Sequence, residues 1–316
     1  MSTAKPEIAL IGVQRPEVLA ALDAAFIVHP VCDAPDLLAA LRDVGANIRG
    51  AVSHGMAGLS RAQIELMPRL EIVAINGVGL ETTDLDACRT RGITVATAPV
   101  LYDDVADLAI ALALAACRRI SHGDRFVRSG QWGAQRLPLG RKLTGMRAGI
   151  VGLGHIGSEV AARLTGFKTQ IGYADPLVRD DRYKHYASAE DLARNSDILF
   201  LCAAGGAKGS RPPIVGRAVL DALGPRGVFV NVSRGWVVDE VELVAALREG
   251  RLGAAGLDVF HAEPTVPAEL LTLDHVVLTP HVASATEETM QAMGECVVGN
   301  LASWFAGKGA LTPVAL

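Results

Sequence analysis

Residues 148–157 read Ala-Gly-Ile-Val-Gly-Leu-Gly-His-Ile-Gly. The first four are apolar and suit a strand; the next six carry the spacing GxGxxG. A strand that runs through such a turn into a helix leaves backbone N–H groups free at the helix N-terminus, where a pyrophosphate binds. Gly152 permits the tight turn, Gly154 lets phosphates approach the backbone, and Gly157 lets helix and strand pack closely. A glycine-rich turn without a ligand would show the same letters, so the strand before and the helix after are what select the dinucleotide reading. His155 and Ile156 complete the turn; His155 can touch a pyrophosphate oxygen, and no catalytic role is assigned to it.

Asp175 ends the next apolar run, 18 residues beyond Gly157. A ribose-binding acid is expected about 20 residues on, at the end of the second strand. Its carboxylate can accept both adenosine ribose hydroxyls and would repel a 2′-phosphate, which favours NAD. A strand-end turn Asp before Pro176 is the plainer alternative. Arg179, Arg182 and Lys184 follow closely and could receive a 2′-phosphate, so NADP stays open.

Working outward, strand-like runs alternate with helical ones. Ala148–Val151, Thr169–Tyr173, Ile198–Cys202, Val228–Val232, Ala254–Val259 and Val276–Leu278 read as strands, apolar throughout as when helices cover both faces of a sheet. Ser158–Leu164, Ser188–Arg194 and Val241–Arg248 read as helices, with Ser188 a plausible N-cap and Asp191 at N3. This rhythm predicts a doubly wound parallel sheet. The first hundred residues repeat it on a smaller scale: strands Ile8–Val13, Gly50–Val52, Glu71–Ala74 and Thr94–Val95, helices near Pro16–Ala25, Pro35–Arg42 and Arg61–Met67. Long helices are expected over Asp103–Ile120 and Thr286–Phe305, the second returning the C-terminus to the N-terminal domain. Segment 121–147 is polar and reads as an extended arm. The fold class is thus α/β, two Rossmann-like doubly wound parallel-sheet domains with a cleft between them.

The bulk numbers agree. A chain of 316 residues suggests two domains. Half of it is hydrophobic and a fifth charged, which supplies a full core. A net charge of −4 gives no reason to expect nucleic acid or an anionic membrane as partner. The apolar run 105–117 is broken by Asp107 and falls short of the ~20 residues a membrane span needs. The N-terminus lacks the apolar core of a signal peptide. Five scattered cysteines, without a CxxC pair, fit reduced thiols and a cytoplasmic setting, with no metal site.

Three polar residues stand where apolar runs end: Arg234 in Asn231-Val232-Ser233-Arg234-Gly235, Glu263 in Phe260-His261-Ala262-Glu263-Pro264, and His281 in Thr279-Pro280-His281-Val282. Ligands of open α/β sheets bind beyond the carboxyl ends of strands. Each residue alone is more often structural, a solvated Arg, a turn Glu or a packed His. Together, behind a nucleotide turn, they match what carbonyl reduction needs. Histidine donates a proton near neutral pH, a carboxylate beside an imidazole holds its tautomer, and a guanidinium grips a carboxylate and polarises a keto oxygen.

On these residues the chain resembles the D-isomer-specific 2-hydroxyacid dehydrogenases. The matching segments are VGLGHIG (151–157), NVSRGWVVDE (231–240), LVAALREGRLGAAGLDVFHAEP (243–264) and LTPHVASAT (278–286), with DDVADLAIAL (103–112) similar to the family's interdomain helix. The hydroxypyruvate and glyoxylate reductases look nearest, and the ending VVGNLASWFAGKGALTPV (297–314) supports that subgroup. The resemblance implies hydride transfer between NAD(P)H and a small 2-keto acid. It implies a substrate-binding, flavodoxin-like domain of residues 1–98 plus 287–316, and a Rossmann domain of residues 99–286. It assigns substrate binding and polarisation to Arg234, support of the histidine to Glu263, and acid/base work to His281. The backbone N–H groups of Val78 and Gly79 would bind the substrate carboxylate, and Ser53, His54 and Gly55 would wall the pocket. Cys202, Val232, Ser233 and His281 would line the coenzyme site, with Asp258 at the nicotinamide amide. A homodimer through the arm is implied, with Trp132 near the partner's site. Members that use NADPH carry basic residues where this chain has Asp175-Pro176. Some members are dinucleotide-sensing corepressors that bind partner peptides, the competing function; the complete Arg, Glu and His set weighs toward an enzyme.

Overall fold

The computed structural model describes residues 5–316. The chain divides into two compact units: residues up to Leu101 together with Ala285–Leu316, and Tyr102–Ser284.

The first unit runs β1 (Glu7–Leu10), α1 (Pro16–Ala25), β2 (Ile27–His29), α2 (Leu37–Val44), β3 (Gly50–His54), α3 (Arg61–Glu65), β4 (Ile72–Asn76), α4 (Leu85–Arg91) and β5 (Thr94–Ala96). Its sheet is parallel, in the order β2-β1-β3-β4-β5. Side chains alternate across it as the period of two requires. Ile8, Leu10, Val52 and Ile72 join one core cluster, whereas Ala9, Ile11, Ala51 and Val73 join the other. Val297 and Leu301, from the C-terminal helix, complete the first cluster. Near the C-terminus, the Val314 N–H donates to the Val95 carbonyl, 2.8 Å.

The second unit runs α5 (Tyr102–Arg118), α6 (Ile120–Arg128), β6 (Arg147–Val151), α7 (His155–Thr165), β7 (Gln170–Ala174), β8 (Lys184–His185), α8 (Ala189–Arg194), β9 (Ile198–Leu201), α9 (Arg217–Leu223), β10 (Val228–Asn231), α10 (Glu240–Arg248), β11 (Ala254–Leu257) and β12 (Val276–Leu278); α11 (Glu287–Phe305) belongs to the first. Its seven parallel strands lie in the order β12-β11-β10-β9-β6-β7-β8. Every residue of β9, β10 and β11 is buried, the sign of a sheet covered on both faces. Helix starts follow capping chemistry. Ser188 accepts from the Asp191 N–H, Ser60 and Gln63 form a capping box, and Thr286 caps α11.

The two parallel α/β sheets read from sequence are both present. Boundaries differ where polar turns interrupt. β1 stops at Leu10 and leaves Val13 70% exposed, and the long helix stops at Arg118 because Arg119 turns left-handed, φ 55°. Segment 121–147 is not wholly an extended arm: α6 occupies its start, anchored by buried Phe126. Polar faces hid that helix, and the short elements β2, β8, α4 and α9 escaped the periodicity altogether.

Candidate active site

In the seven-stranded sheet, β6 lies between β9 and β7, so the chain leaves β6 one way and returns on its other side. Carboxyl ends of strands at such a switch point are where nucleotides bind. The turn Gly152–Gly157 sits there, after β6. Gly152 has φ 89°, which a side chain disfavours, and a Cβ on it would strike the backbone of Ala203. A Cβ on Gly157 would strike the carbonyl oxygen of Gly152. Gly154, by contrast, is exposed, and a Cβ there would meet nothing within 4 Å. The turn is therefore pinned from inside and open outside, at the N-terminus of α7. That is the shape a pyrophosphate needs, and these residues fit NAD(P). The exposed ring of His155 stacks on Tyr102, centroids 4.7 Å apart and planes 10° apart, so only its backbone and that of half-buried Ile156 remain to the turn.

Asp175 follows β7. Oδ2 accepts from the Leu153 N–H at 2.9 Å, and Oδ1 accepts from Leu177 and Val178 at 2.8 Å each. A carboxylate offers about four acceptor sites, so one remains. These three bonds tie the glycine turn to the following loop. Burial alone would raise its pKa, but the three N–H bonds and the Arg179 charge hold it below the usual carboxylate range. The neighbouring bases are engaged. Arg179 donates to the carbonyls of Asp175 and Val178, Arg182 pairs with Asp180, and Lys184 lies over the Tyr186 ring.

Beyond β9, β10, β11 and β12 come, in turn, Cys202, then Val232, Ser233 and Arg234, then Asp258 and Glu263, then His281. Cys202 is half-buried, and desolvation pushes its thiol upward. Val232 and Ser233 are buried, and the Ser233 hydroxyl donates to the Ala203 carbonyl. His281 Nδ1 lies 2.7 Å from Glu263 Oε2, and Glu263 Oε1 accepts from the Phe260 N–H at 2.9 Å. Since a carboxylate can only accept, Nδ1 carries the proton toward it and Nε2 is left for a substrate. The Arg234 guanidinium donates to the Ser233 carbonyl at 2.8 Å.

Two residues that sequence reasoning missed or read otherwise hold this edge together. Asn231, buried at the end of β10, accepts from the Ser233 N–H and donates to the Arg234 carbonyl, 3.0 and 3.1 Å. Asp258 is fully buried. Its carboxylate accepts from Thr279 Oγ1 at 2.7 Å and from the N–H groups of Val282 and Ala283, and its carbonyl accepts from the His281 N–H. Its side chain and carbonyl thus hold the 281–283 backbone. Burial pushes its carboxyl upward, against those hydrogen bonds. A buried Asn at a strand end was the available signal for the first; nothing in sequence marked the second as a brace.

In the first unit, Ser53, His54, Gly55, Val78 and Gly79 gather at the carboxyl ends of β3 and β4. Buried Ser53 donates to the Gly58 carbonyl at 2.5 Å, and Thr82 Oγ1 donates to the Gly55 carbonyl at 2.7 Å. Gly55 lies against the backbone of Gly79. Among the described residues, the N–H groups of Val78 and Gly79 donate to no backbone carbonyl. Trp132 is 79% exposed on the segment after α6.

Residues 110–283 match the family described as D-isomer specific 2-hydroxyacid dehydrogenase, NAD binding domain. The chain is 48% identical over 270 residues to glyoxylate/hydroxypyruvate reductase A HPR2 of Arabidopsis thaliana, covering 85% of this chain and 86% of that protein. It is 40% identical over 314 residues to the 2-ketogluconate reductase of Gluconobacter oxydans, covering 99% of each. Its structure is similar, with a TM-score of 0.88 at 36% identity, to the crystal structure of an NADPH-dependent glyoxylate/hydroxypyruvate reductase from Sinorhizobium meliloti in complex with NADP and malonate, covering 99% of this chain and 97% of that one. With the coenzyme turn and the Arg, Glu and His edge already placed, these likenesses are decisive: the chain belongs to the D-isomer-specific 2-hydroxyacid dehydrogenases, NAD(P)-dependent oxidoreductases of 2-keto and D-2-hydroxy acids.

Proposed function

We propose that this chain reduces small 2-keto acids of the glyoxylate and hydroxypyruvate type to their D-2-hydroxy acids, with NADH preferred over NADPH. The observation that carries the chemistry is the 2.7 Å contact between His281 Nδ1 and Glu263 Oε2. The relatives bear reductase names, which leaves the corepressor reading without support.

When bound, the reduced nicotinamide supplies hydride to the keto carbon. The step requires His281 with both ring nitrogens protonated: it gives the Nε2 proton to the keto oxygen as charge develops there and keeps the Nδ1 proton directed at Glu263, which holds the ring in that orientation. Arg234 grips the substrate carboxylate and polarises the keto group. In this assignment Ser53 and Gly55 shape the substrate loop, and the turn 152–157, Cys202, Val232 and Ser233 line the coenzyme. Asn231 and Asp258 position the loops that carry Arg234 and His281. Relatives of this subgroup include an NADPH-dependent reductase, yet here Asp175 offers a carboxylate where a 2′-phosphate would lie and the nearby bases are engaged. Replacing His281 by Ala should lower kcat at least ~10²-fold, and Glu263→Gln at least ~10-fold through loss of the preferred tautomer. Near wild-type turnover in His281→Ala removes His281 from its role. Initial rates with the two coenzymes should favour NADH; a strong NADPH preference refutes that part.

Ile120, Val127, Trp132 and Leu139 are exposed along one segment of the second unit, and Leu139 is 95% exposed. Large apolar side chains grouped this way mark an interaction surface. In this reading the chain is a cytoplasmic homodimer joined through that arm; among the described residues no helix is long and apolar enough to cross a membrane. Sedimentation at micromolar concentration should give twice the chain mass, and a monomer there would overturn the assembly.

A further inference from the structure

Gly235 follows Arg234 and is buried, and the peptide that joins Phe260 to His261 lies directly on it. A Cβ at residue 235 would overlap the carbonyl carbon and oxygen of Phe260 and the nitrogen of His261. The loop after β10 and the loop after β11 therefore touch through backbone alone. An approach this close needs a residue without a side chain.

The same peptide is held from its other edge. Its N–H, that of His261, donates to Glu240 Oε1 at 2.9 Å. One residue on, the His261 carbonyl accepts from Lys208 Nζ at 2.8 Å. One residue back, the Phe260 N–H donates to Glu263 Oε1 at 2.9 Å, and Oε2 of that carboxylate meets His281. The turn 260–263 is short, so whatever fixes the Phe260–His261 peptide also fixes the amide that holds Glu263.

Glu240 is the first residue of α10, where a carboxylate has an ordinary purpose: its charge favours the positive end of the helix dipole. That purpose needs charge and no directed N–H. Asp239, the N-cap, and Glu242 in the first turn already bring negative charge to this end. What Glu240 adds is an acceptor for His261.

Resting on the reading of this chain as a 2-keto acid reductase, we propose that Glu240 is a positioning residue. By accepting the His261 N–H it holds the Phe260–His261 peptide against Gly235, and so aims Glu263 at His281. Its side chain acts through that peptide, not on the reacting atoms. Small misplacements of an acid/base group are costly, so a hydrogen bond two contacts removed from His281 reaches the rate.

The test measures kcat and KM for hydroxypyruvate, and the NADH dissociation constant by fluorescence, in the full-length protein. Glu240→Ala should lower kcat roughly 3- to 10-fold, with KM and NADH affinity within about twofold, because alignment is lost and binding is not. Glu240→Gln loses the charge and keeps the acceptor, and should recover most of that loss. In a Glu263→Gln background, Glu240→Ala should cost less than about twofold, since the aimed carboxylate is already gone. Thermal unfolding reports whether each variant folds; if Glu240→Ala does not, Glu240→Ser, which favours a helix start but is too short to reach His261, replaces it. Three results overturn the role of Glu240: kcat unchanged in Glu240→Ala, Glu240→Gln as slow as Glu240→Ala, or full additivity with Glu263→Gln. Failure of the unaltered chain to reduce hydroxypyruvate or glyoxylate instead overturns the reductase reading beneath it.

Discussion

An imidazole has two nitrogens, and whatever holds one of them decides where the other faces and what it can do. Here Glu263 holds Nδ1 of His281 at 2.7 Å, and Glu263 is itself fixed by the Phe260 N–H. The contact joins the ends of β11 and β12. The arrangement depends on a loop that would not adopt its shape unaided. His281 has φ 54°, a region that side-chain-bearing residues avoid. It stays there because Asp258, buried in the strand-end turn beside it, accepts the N–H groups of residues 281, 282 and 283. Buried acceptors with all partners satisfied are rigid, and rigidity is what the proposed acid/base role of His281 needs.

The coenzyme end shows the same economy. Asp175 ties the glycine turn through Leu153 and shapes its own loop through Leu177 and Val178. The acid proposed to face the coenzyme ribose thus also holds the glycine turn.

Much of this was legible in the sequence because the signals are local. The turn 152–157 carries three glycines whose spacing follows from two close approaches and one open face. The strands of the larger sheet are buried on both sides and so read as unbroken apolar runs. Arg234, Glu263 and His281 each follow such a run, and the structure brings Glu263 and His281 into contact. What stayed hidden depends on contacts distant along the chain. Asp258 reads as one more acid after a strand, yet it braces residues more than twenty positions away. Gly12 sits in no motif, and its reason is the ring of His54, from the end of another strand. α6 was lost because a helix with one buried aromatic and many charges resembles a polar linker.

The account turns on which nitrogen of His281 faces the substrate and on what lies opposite it. A crystal structure of the protein with NADH and oxamate, an unreactive mimic of a 2-keto acid, tests this directly. The account requires His281 Nε2 within hydrogen-bond reach of the oxamate carbonyl oxygen, Glu263 on Nδ1, and the Arg234 guanidinium on the oxamate. If that oxygen is met by water or another side chain, with His281 turned away, the assignment is contradicted.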